Sequence, residues 1–234
     1  MKRLLIPIIA LLLSTISFAQ VGELRSNLAM GFNAGYNLSR ADFSPTIKQE
    51  LHPGLTGGAT LRYTTEKYFS LVCAAQVEVN FAQRGWRELI EDGSNNTYHR
   101  TANYIEVPFF AHLGWGKKED KMQFFVNAGP QIGFYLPNPK EEYYGFSEEY
   151  PWDESKRPGG TTQQYGKAIE NVLEYGITGG LGMELKTGIG NFLIEGRYFF
   201  GLSDMFGNSK ADPFGRSANT TITGKISYLI DITK

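Results

Sequence analysis

Apolar and polar residues alternate along much of this chain with a period of two. In the stretch QFFVNAGPQIGFYL, Gln123–Leu136, Phe124 and Val126 fall on one parity, while Asn127 and Gln131 fall on the other. Successive side chains of a β-strand point to opposite faces, so this period predicts a strand with one apolar and one polar face. The stretch is too polar for a membrane helix and too apolar for an ordinary loop.

Eight segments share this period and predict eight antiparallel strands. Their bounds are Asn27–Leu38, Leu55–Tyr63, Phe69–Arg84, Asn103–Trp115, Gln123–Leu136, Glu170–Leu185, Asn191–Leu202 and Thr220–Ile232. Short polar links follow the second, fourth and sixth segments, and connections of roughly 15 to 35 residues follow the first, third, fifth and seventh, as in outer-membrane barrels. The pattern predicts an all-β fold: an eight-stranded antiparallel up-and-down transmembrane β-barrel.

The composition of the two parities indicates which face meets lipid. No Lys, Arg, Asp or Glu lies on the apolar parity of the eight segments, and a charge at mid-membrane depth costs about 2–4 kcal/mol. The polar parity is rich in Gly, Asn, Gln, Thr and Ser, which suit a crowded lumen better than a water-facing surface. A soluble periplasmic barrel that turns its apolar side chains inward around a small ligand is the alternative.

The N-terminus predicts export. Residues 1–19, MKRLLIPIIALLLSTISFA, combine a basic start, a short apolar run and small residues before Gln20, which is typical of a secretory signal peptide. Residues 20–234 then form one outer-membrane barrel domain. A formal net charge of -1 without a basic surface indicates no nucleic-acid partner. The single cysteine, Cys73, allows no internal disulfide.

Four motifs in order resemble a known family: YIEVPFF (Tyr104–Phe110), NAGPQIGFYL (Asn127–Leu136), YGITGGLGMEL (Tyr175–Leu185) and FLIEGRYFFGLSD (Phe192–Asp204). They are similar to the PorT-like family of Bacteroidetes outer-membrane β-barrel proteins. The resemblance implies an eight-stranded barrel in the cell outer membrane, in contact with its lipid, and leaves open an accessory place in a larger envelope or secretion assembly. It assigns no activity.

Charged residues on the polar parity are the first candidate site. They are Arg62, Glu78, Glu106, Glu174, Glu195, Arg197 and Lys225. Eight strands enclose a lumen that side chains can fill, and buried ions need partners, so we expect a polar network that plugs the lumen. A proton or ion path is the alternative. Loop arginines Arg84, Arg87 and Arg100 are further partners for the glutamates, and Glu195 is placed to reach between Arg197 and Lys225.

The long loop after the fifth strand, Lys140–Ser155, is the second candidate. It mixes carboxylates and aromatic rings, which can stack on sugars or meet a basic partner. The residues concerned are Glu141, Tyr143, Tyr144, Glu148, Tyr150 and Trp152. We therefore expect an envelope protein or a glycan as partner; the alternative is a solvated loop that covers the mouth of the barrel.

No motif indicates catalysis, a cofactor or a metal site. Of the three histidines, His52 and His99 stand beside no recognisable nucleophile, and His112 is expected to point into the lumen near its periplasmic end. GxSxG, HExxH and calcium-loop patterns are absent from the sequence. We expect no enzyme activity; a membrane-embedded lipid-modifying enzyme stays the alternative. Pro130 lacks the N–H of an interior strand residue, so a bulge or a lost ladder bond is expected there.

Overall fold

In a computed structural model, which describes residues 27–68, 71–116, 121–146, 153 and 162–233, the chain forms one ten-stranded antiparallel sheet. The strands are β1 Asn27–Ser44, β2 Gln49–Glu50, β3 His52–Tyr68, β4 Leu71–Glu88, β5 Thr97–Trp115, β6 Met122–Leu136, β7 Glu142–Gly145, β8 Leu173–Thr187, β9 Gly190–Gly201 and β10 Arg216–Asp231. No helix within the described ranges is long and apolar enough to cross a membrane. The predicted signal peptide and its boundary at residue 19 lie outside the described residues.

The eight long strands close into a barrel. Each pairs with its neighbours along the chain, and β10 returns to pair with β1 from Ala29 and Asp231 to Ser44 and Arg216. Closure gives every long strand a hydrogen-bonded neighbour on both sides. The predicted eight-stranded antiparallel barrel is confirmed. The two short strands lie at one end, where β2 pairs with β4 and β7 with β5.

The apolar parity faces outward. Phe32, Leu181 and Ile226 are 75%, 70% and 61% exposed, although they are among the most apolar residues of their strands. On β5 the outward apolar band runs from Ile105 to Trp115, and about 9–11 residues of a tilted strand span a bilayer core. We call the end of the barrel with the connections β3–β4, β5–β6 and β8–β9 the turn end, and the opposite end the loop end.

The strand β6 has the two faces that its sequence predicts. Phe124 is 60% exposed on the outside, whereas Gln123, Asn127 and Gln131 are buried inside. The β5–β6 ladder lacks the two residue pairs at Gly129 and Pro130, and its register is the same on both sides of the gap. The expected loss of ladder bonding is confirmed, and it occurs without a bulge.

Several strands continue beyond the apolar band at the loop end. There β1 extends to Ser44, β4 to Glu88, and β5 begins at Thr97, so that only residues 89–96 join β4 to β5. The predicted lengths of the first and second long connections are therefore wrong. Apolar alternation ends where the strands leave lipid, because outward positions such as Arg87 and Thr101 become polar while the backbone ladder continues.

Two apolar clusters lie inside the barrel, one at each end. The larger, which we call the mouth cluster, fills the loop end with Ala41, Phe43, Ile47, Trp86, Tyr98, Ala102, Tyr104, Tyr135, Ile169, Met205, Phe206 and Phe214. Its rings pack closely, with the centroid of Phe43 5.1 Å from those of both Trp86 and Phe214. Ala29, Phe125, Leu193 and Leu229 form the smaller cluster at the turn end. The polar interior lies between them.

Candidate functional site

The seven predicted lumen residues all point into the barrel and are buried. They are Arg62, Glu78, Glu106, Glu174, Glu195, Arg197 and Lys225. The inward parity of β3, β4, β5, β8, β9 and β10 supplies them, so their placement follows from the alternation alone. Their pairing does not, because it depends on which strands face each other across the lumen.

Glu78 of β4 is the centre of the largest group. Its two carboxylate oxygens accept hydrogen bonds from both Nη atoms of Arg197 at 2.7 and 2.8 Å, and one also accepts from Nζ of Lys225 at 2.5 Å. The amides of Gln76 and Asn80 donate to the same carboxylate at 2.7 and 2.9 Å. A buried carboxylate with five donors, two of them cationic side chains, is fully compensated, and these bonds tie β4 to β9 and β10.

Glu195 does not bridge Arg197 and Lys225, although it lies directly opposite Lys225 in the β9–β10 ladder. Its carboxylate accepts from Nη2 of Arg197 at 2.7 Å and from Nδ2 of Asn127 at 2.8 Å. The expectation that it reaches between the two cations is wrong, because Glu78 crosses the lumen and occupies that place.

A second group surrounds Arg84, which the sequence suggested as a loop residue. Arg84 lies on the inward parity of β4 and contacts Glu174 at 2.7 Å and Glu106 at 2.5 Å. Its guanidinium carbon lies 4.1 Å from the ring centroid of Phe199, and Nδ2 of Asn219 donates to Glu174 at 2.6 Å. Arg84 therefore neutralises two of the predicted lumen glutamates, and its position on the inward parity of β4 is the signal that places it inside.

The third group is an ion pair between Arg62, which is among the predicted lumen residues, and Glu184, which is not. Arg62 donates to both carboxylate oxygens of Glu184 at 2.7 and 2.8 Å, and both side chains are buried. Glu184 stands on the polar parity of β8, so the alternation alone could have placed it in the lumen. The bidentate geometry is the strongest form of a carboxylate–guanidinium contact.

A hydrogen-bonded chain links the central group to the turn end. Asn127 donates through Nδ2 to Glu195, so its Oδ1 faces Nδ1 of His112 at 2.8 Å. An amide oxygen can only accept, and Nδ1 of His112 therefore donates. The other ring nitrogen, Nε2, is left as an acceptor in the neutral imidazole. No nucleophile takes part in this chain.

The predicted loop residues divide between the inside and the outside of the loop end. Glu141 forms an ion pair with Arg100 and accepts from the Tyr135 hydroxyl at 2.5 Å. Tyr144 of β7 packs inward, with its ring centroid 5.0 Å from that of Tyr98. Tyr143 points outward and is 54% exposed. The remaining predicted residues, Glu148, Tyr150 and Trp152, lie outside the described residues.

Three rings form a stack at the loop end, above the lipid band, that runs from the exposed Tyr143 to the buried His52. The centroids of Tyr143 and His99 are 4.8 Å apart, and those of His99 and His52 are 5.3 Å apart. Burial, the neighbouring His99 and the positive charge of Arg87 lower the pKa of His52 from 6.5 to about 4. Burial and Arg87 also lower the pKa of His99. Both imidazoles are therefore neutral at physiological pH, and the stack carries no net charge.

The connection before β8 is clamped to the barrel. Arg100 donates to the carbonyl of Lys167 at 2.5 Å, and Glu88 accepts from Gln164 at 2.8 Å and from the hydroxyl of Tyr165 at 2.6 Å. These bonds lie beside the mouth cluster. The described part of the loop end is therefore an ordered surface that the barrel supports.

The sequence was compared with protein families, curated proteins and solved structures. A family model described as "Outer membrane protein beta-barrel domain" matches residues 18–207. No curated protein matches the sequence significantly.

Among solved structures, the chain is similar to Ail, the attachment invasion locus protein of Yersinia pestis, with 10% identity, 86% of this chain and 98% of that chain covered, and a TM-score of 0.39. Neisserial surface protein A shows 6% identity, with 86% and 96% covered and a TM-score of 0.43. The N-terminal β-barrel domain of Pseudomonas aeruginosa OprF shows 8% identity, with 88% and 100% covered and a TM-score of 0.38.

The family match spans most of the chain and agrees with the closed antiparallel barrel and its outward apolar band. The chain therefore belongs to the outer membrane protein β-barrel domain family, and the protein is located in the outer membrane.

Proposed function

We propose that the protein is a closed, non-enzymatic barrel that acts through its extracellular rim. In outer-membrane barrels the short turns are periplasmic and the long loops extracellular, so the loop end with its mouth cluster is the extracellular end. The observation that carries the proposal is the filled interior: the mouth cluster occupies the loop end, and three ion-pair groups occupy the lumen between it and the turn end. The cavity among the central charges has a volume of only about 20 Å³, which is room for about one water.

The extracellular rim provides the interaction surface. Extended strands, β7 and the clamped connection before β8 hold it rigidly, and Tyr143 with His99 offers an exposed aromatic face. Rigid rings that are apolar on their faces and polar at their edges contribute large contact area at low entropic cost. A glycan or an envelope protein fits this surface. The PorT-like resemblance adds the hypothesis that the partner belongs to a larger envelope or secretion assembly.

Site-specific photo-cross-linking in cells tests the rim. A photoreactive phenylalanine derivative replaces Tyr143 in one variant and Tyr36 in a control variant; Tyr36 is similarly exposed but lies within the lipid-facing band. We expect discrete protein or glycan adducts from position 143 and lipid adducts alone from position 36. Identical adduct patterns at the two positions would contradict a partner-binding rim.

Conductance measurements test the closed lumen. The purified barrel in planar bilayers should show no ohmic channel, because charged side chains with their partners fill the interior. Stable ion conductance by the folded wild-type protein would support the ion path instead.

A further inference from the structure

A second polar cavity opens at the periplasmic end, opposite the proposed rim. Its volume is about 150 Å³, and its lining includes Asn27, Arg62, His112, Gln123, Glu184 and Lys186. This is on the order of ten water-sized probes. It is large enough for the last residue of a peptide and too small for a folded segment.

The carboxylates of this cavity already have partners. Glu184 is engaged by both Nη atoms of Arg62. Asp231 accepts from the amides of Asn27 and Asn191 through one oxygen at 2.9 and 3.2 Å. These bonds hold the walls of the cavity together.

Three donors in the lining are unmatched within the described part of the chain. Nε2 of Gln123 and Nε of Arg62 are buried without a hydrogen-bond acceptor, and the Gln123 side chain is only 2% exposed. Lys186 makes no ion pair within 4.0 Å to any carboxylate of the described residues. A buried amide without a partner costs free energy, so Gln123 points to an acceptor that the described chain does not provide.

Two acceptors lie beside these donors. Oδ1 of Asn27 is buried without a donor among the described residues. Nε2 of His112 is an acceptor in the neutral imidazole, because the bond to Asn127 places the ring proton on Nδ1. A ligand that matches the cavity must therefore carry an anionic acceptor and, next to it, an N–H donor.

We propose that this cavity binds the C-terminal residue of a peptide in the periplasm. Its carboxylate accepts from Lys186 and Gln123, and the N–H of its last peptide bond donates to His112 or Asn27. Capture of a terminal carboxylate is an established mode of peptide recognition, in which charge-assisted hydrogen bonds give most of the specificity.

Calorimetric titration of the full-length barrel in detergent tests the proposal. The probes are acetyl-Gly-Gly-Ala as free acid, the same peptide as C-terminal amide, and inorganic phosphate. We expect the acid to bind roughly 10- to 100-fold more tightly than the amide, which corresponds to a charge-assisted hydrogen bond of about 1.5–3 kcal/mol. Lys186→Met should weaken binding of the acid by a similar factor, and Gln123→Leu should also weaken it.

Lys140→Met is the matched control, because this exposed lysine lies at the extracellular end; it should leave binding unchanged. Heat-modifiable migration confirms that each variant is folded. Equal affinity for acid and amide, phosphate binding as tight as peptide binding, unchanged binding by Lys186→Met, or no binding by the wild type would each overturn the proposal. Cross-linking at Tyr143 reports on the opposite end, so the two proposals fail independently.

Discussion

Replacing Glu78 by Gln should destabilise the barrel more than any single substitution of an exposed carboxylate. The change keeps the shape of the side chain and removes its charge. Arg197 retains Glu195 as a partner, but Lys225 loses the one carboxylate with which it forms an ion pair among the described residues. An uncompensated ammonium then remains in the interior between the two apolar clusters.

The expected magnitude follows from burial. The Glu78 side chain is 0% exposed, and those of Lys225 and Arg197 are 1% and 6% exposed. Removing one partner of a buried ion pair lowers the free energy of unfolding by about 3–5 kcal/mol. The double variant Glu78→Gln with Lys225→Met removes the charge that has lost its partner. It should be less destabilised than Glu78→Gln alone, since the effects of substitutions at contacting residues on the free energy of unfolding do not add.

Urea unfolding in lipid vesicles, followed by tryptophan fluorescence, measures the difference. Glu91→Gln is the control: Glu91 pairs with Lys48 at the surface, its side chain is 51% exposed, and such pairs contribute about 0–1 kcal/mol. If Glu78→Gln lowers the free energy of unfolding no more than Glu91→Gln does, the interior is hydrated and the reasoning about a buried network is wrong.

Three further predictions concern other parts of the barrel. Arg84→Met leaves two buried carboxylates without their cation and should cost about 3–5 kcal/mol; adding Glu106→Gln should restore part of the loss in the same unfolding assay. His52 has a pKa of about 4 in the folded protein against 6.5 when free. Its contribution to stability is therefore present above pH 6.5 and is lost as the pH falls toward 4, so the free energy of unfolding rises with pH in this range. In the variant His52→Gln the free energy of unfolding should depend less on pH between 4 and 6.5. Ile226→Arg places a charge in the lipid band and should cost about 2–4 kcal/mol in vesicles, whereas Thr97→Arg, at an exposed outward position above the band, should change stability little.

The strands and their faces could be predicted because lipid and lumen impose opposite demands on alternate residues. Gln123, Asn127 and Gln131 lie inside for this reason, and Phe124 lies outside. The same signal disappears where strands leave the membrane. The extension of β5 to Thr97 carries polar residues on its outer face, so its sequence looks like a loop although its backbone continues the ladder.

The partners inside the lumen could not be predicted from the same pattern. Parity places Glu78, Glu195 and Arg197 in the interior, but the pairing of Glu78 with Arg197 joins β4 to β9 across the barrel. Which strands face each other depends on the stagger of the closed sheet, which no local sequence feature encodes. Arg84 and Glu184 were on the inward parity as well, and counting every inward charge would have included them.

The pairing of β10 with β1 has a consequence for how the protein reaches its native state. The two strands that complete the ring are the first and the last of the described strands, so every earlier intermediate has two open edges. In lipid an open edge leaves backbone N–H and C=O groups without partners, at a cost of several kcal/mol for each group. The contacts between β1 and β10 are also the most distant in sequence. The chain therefore loses the conformational entropy of closing this long loop before the contacts stabilise the barrel. Membrane insertion and barrel closure must therefore be a single cooperative event, with no stable half-barrel in the bilayer.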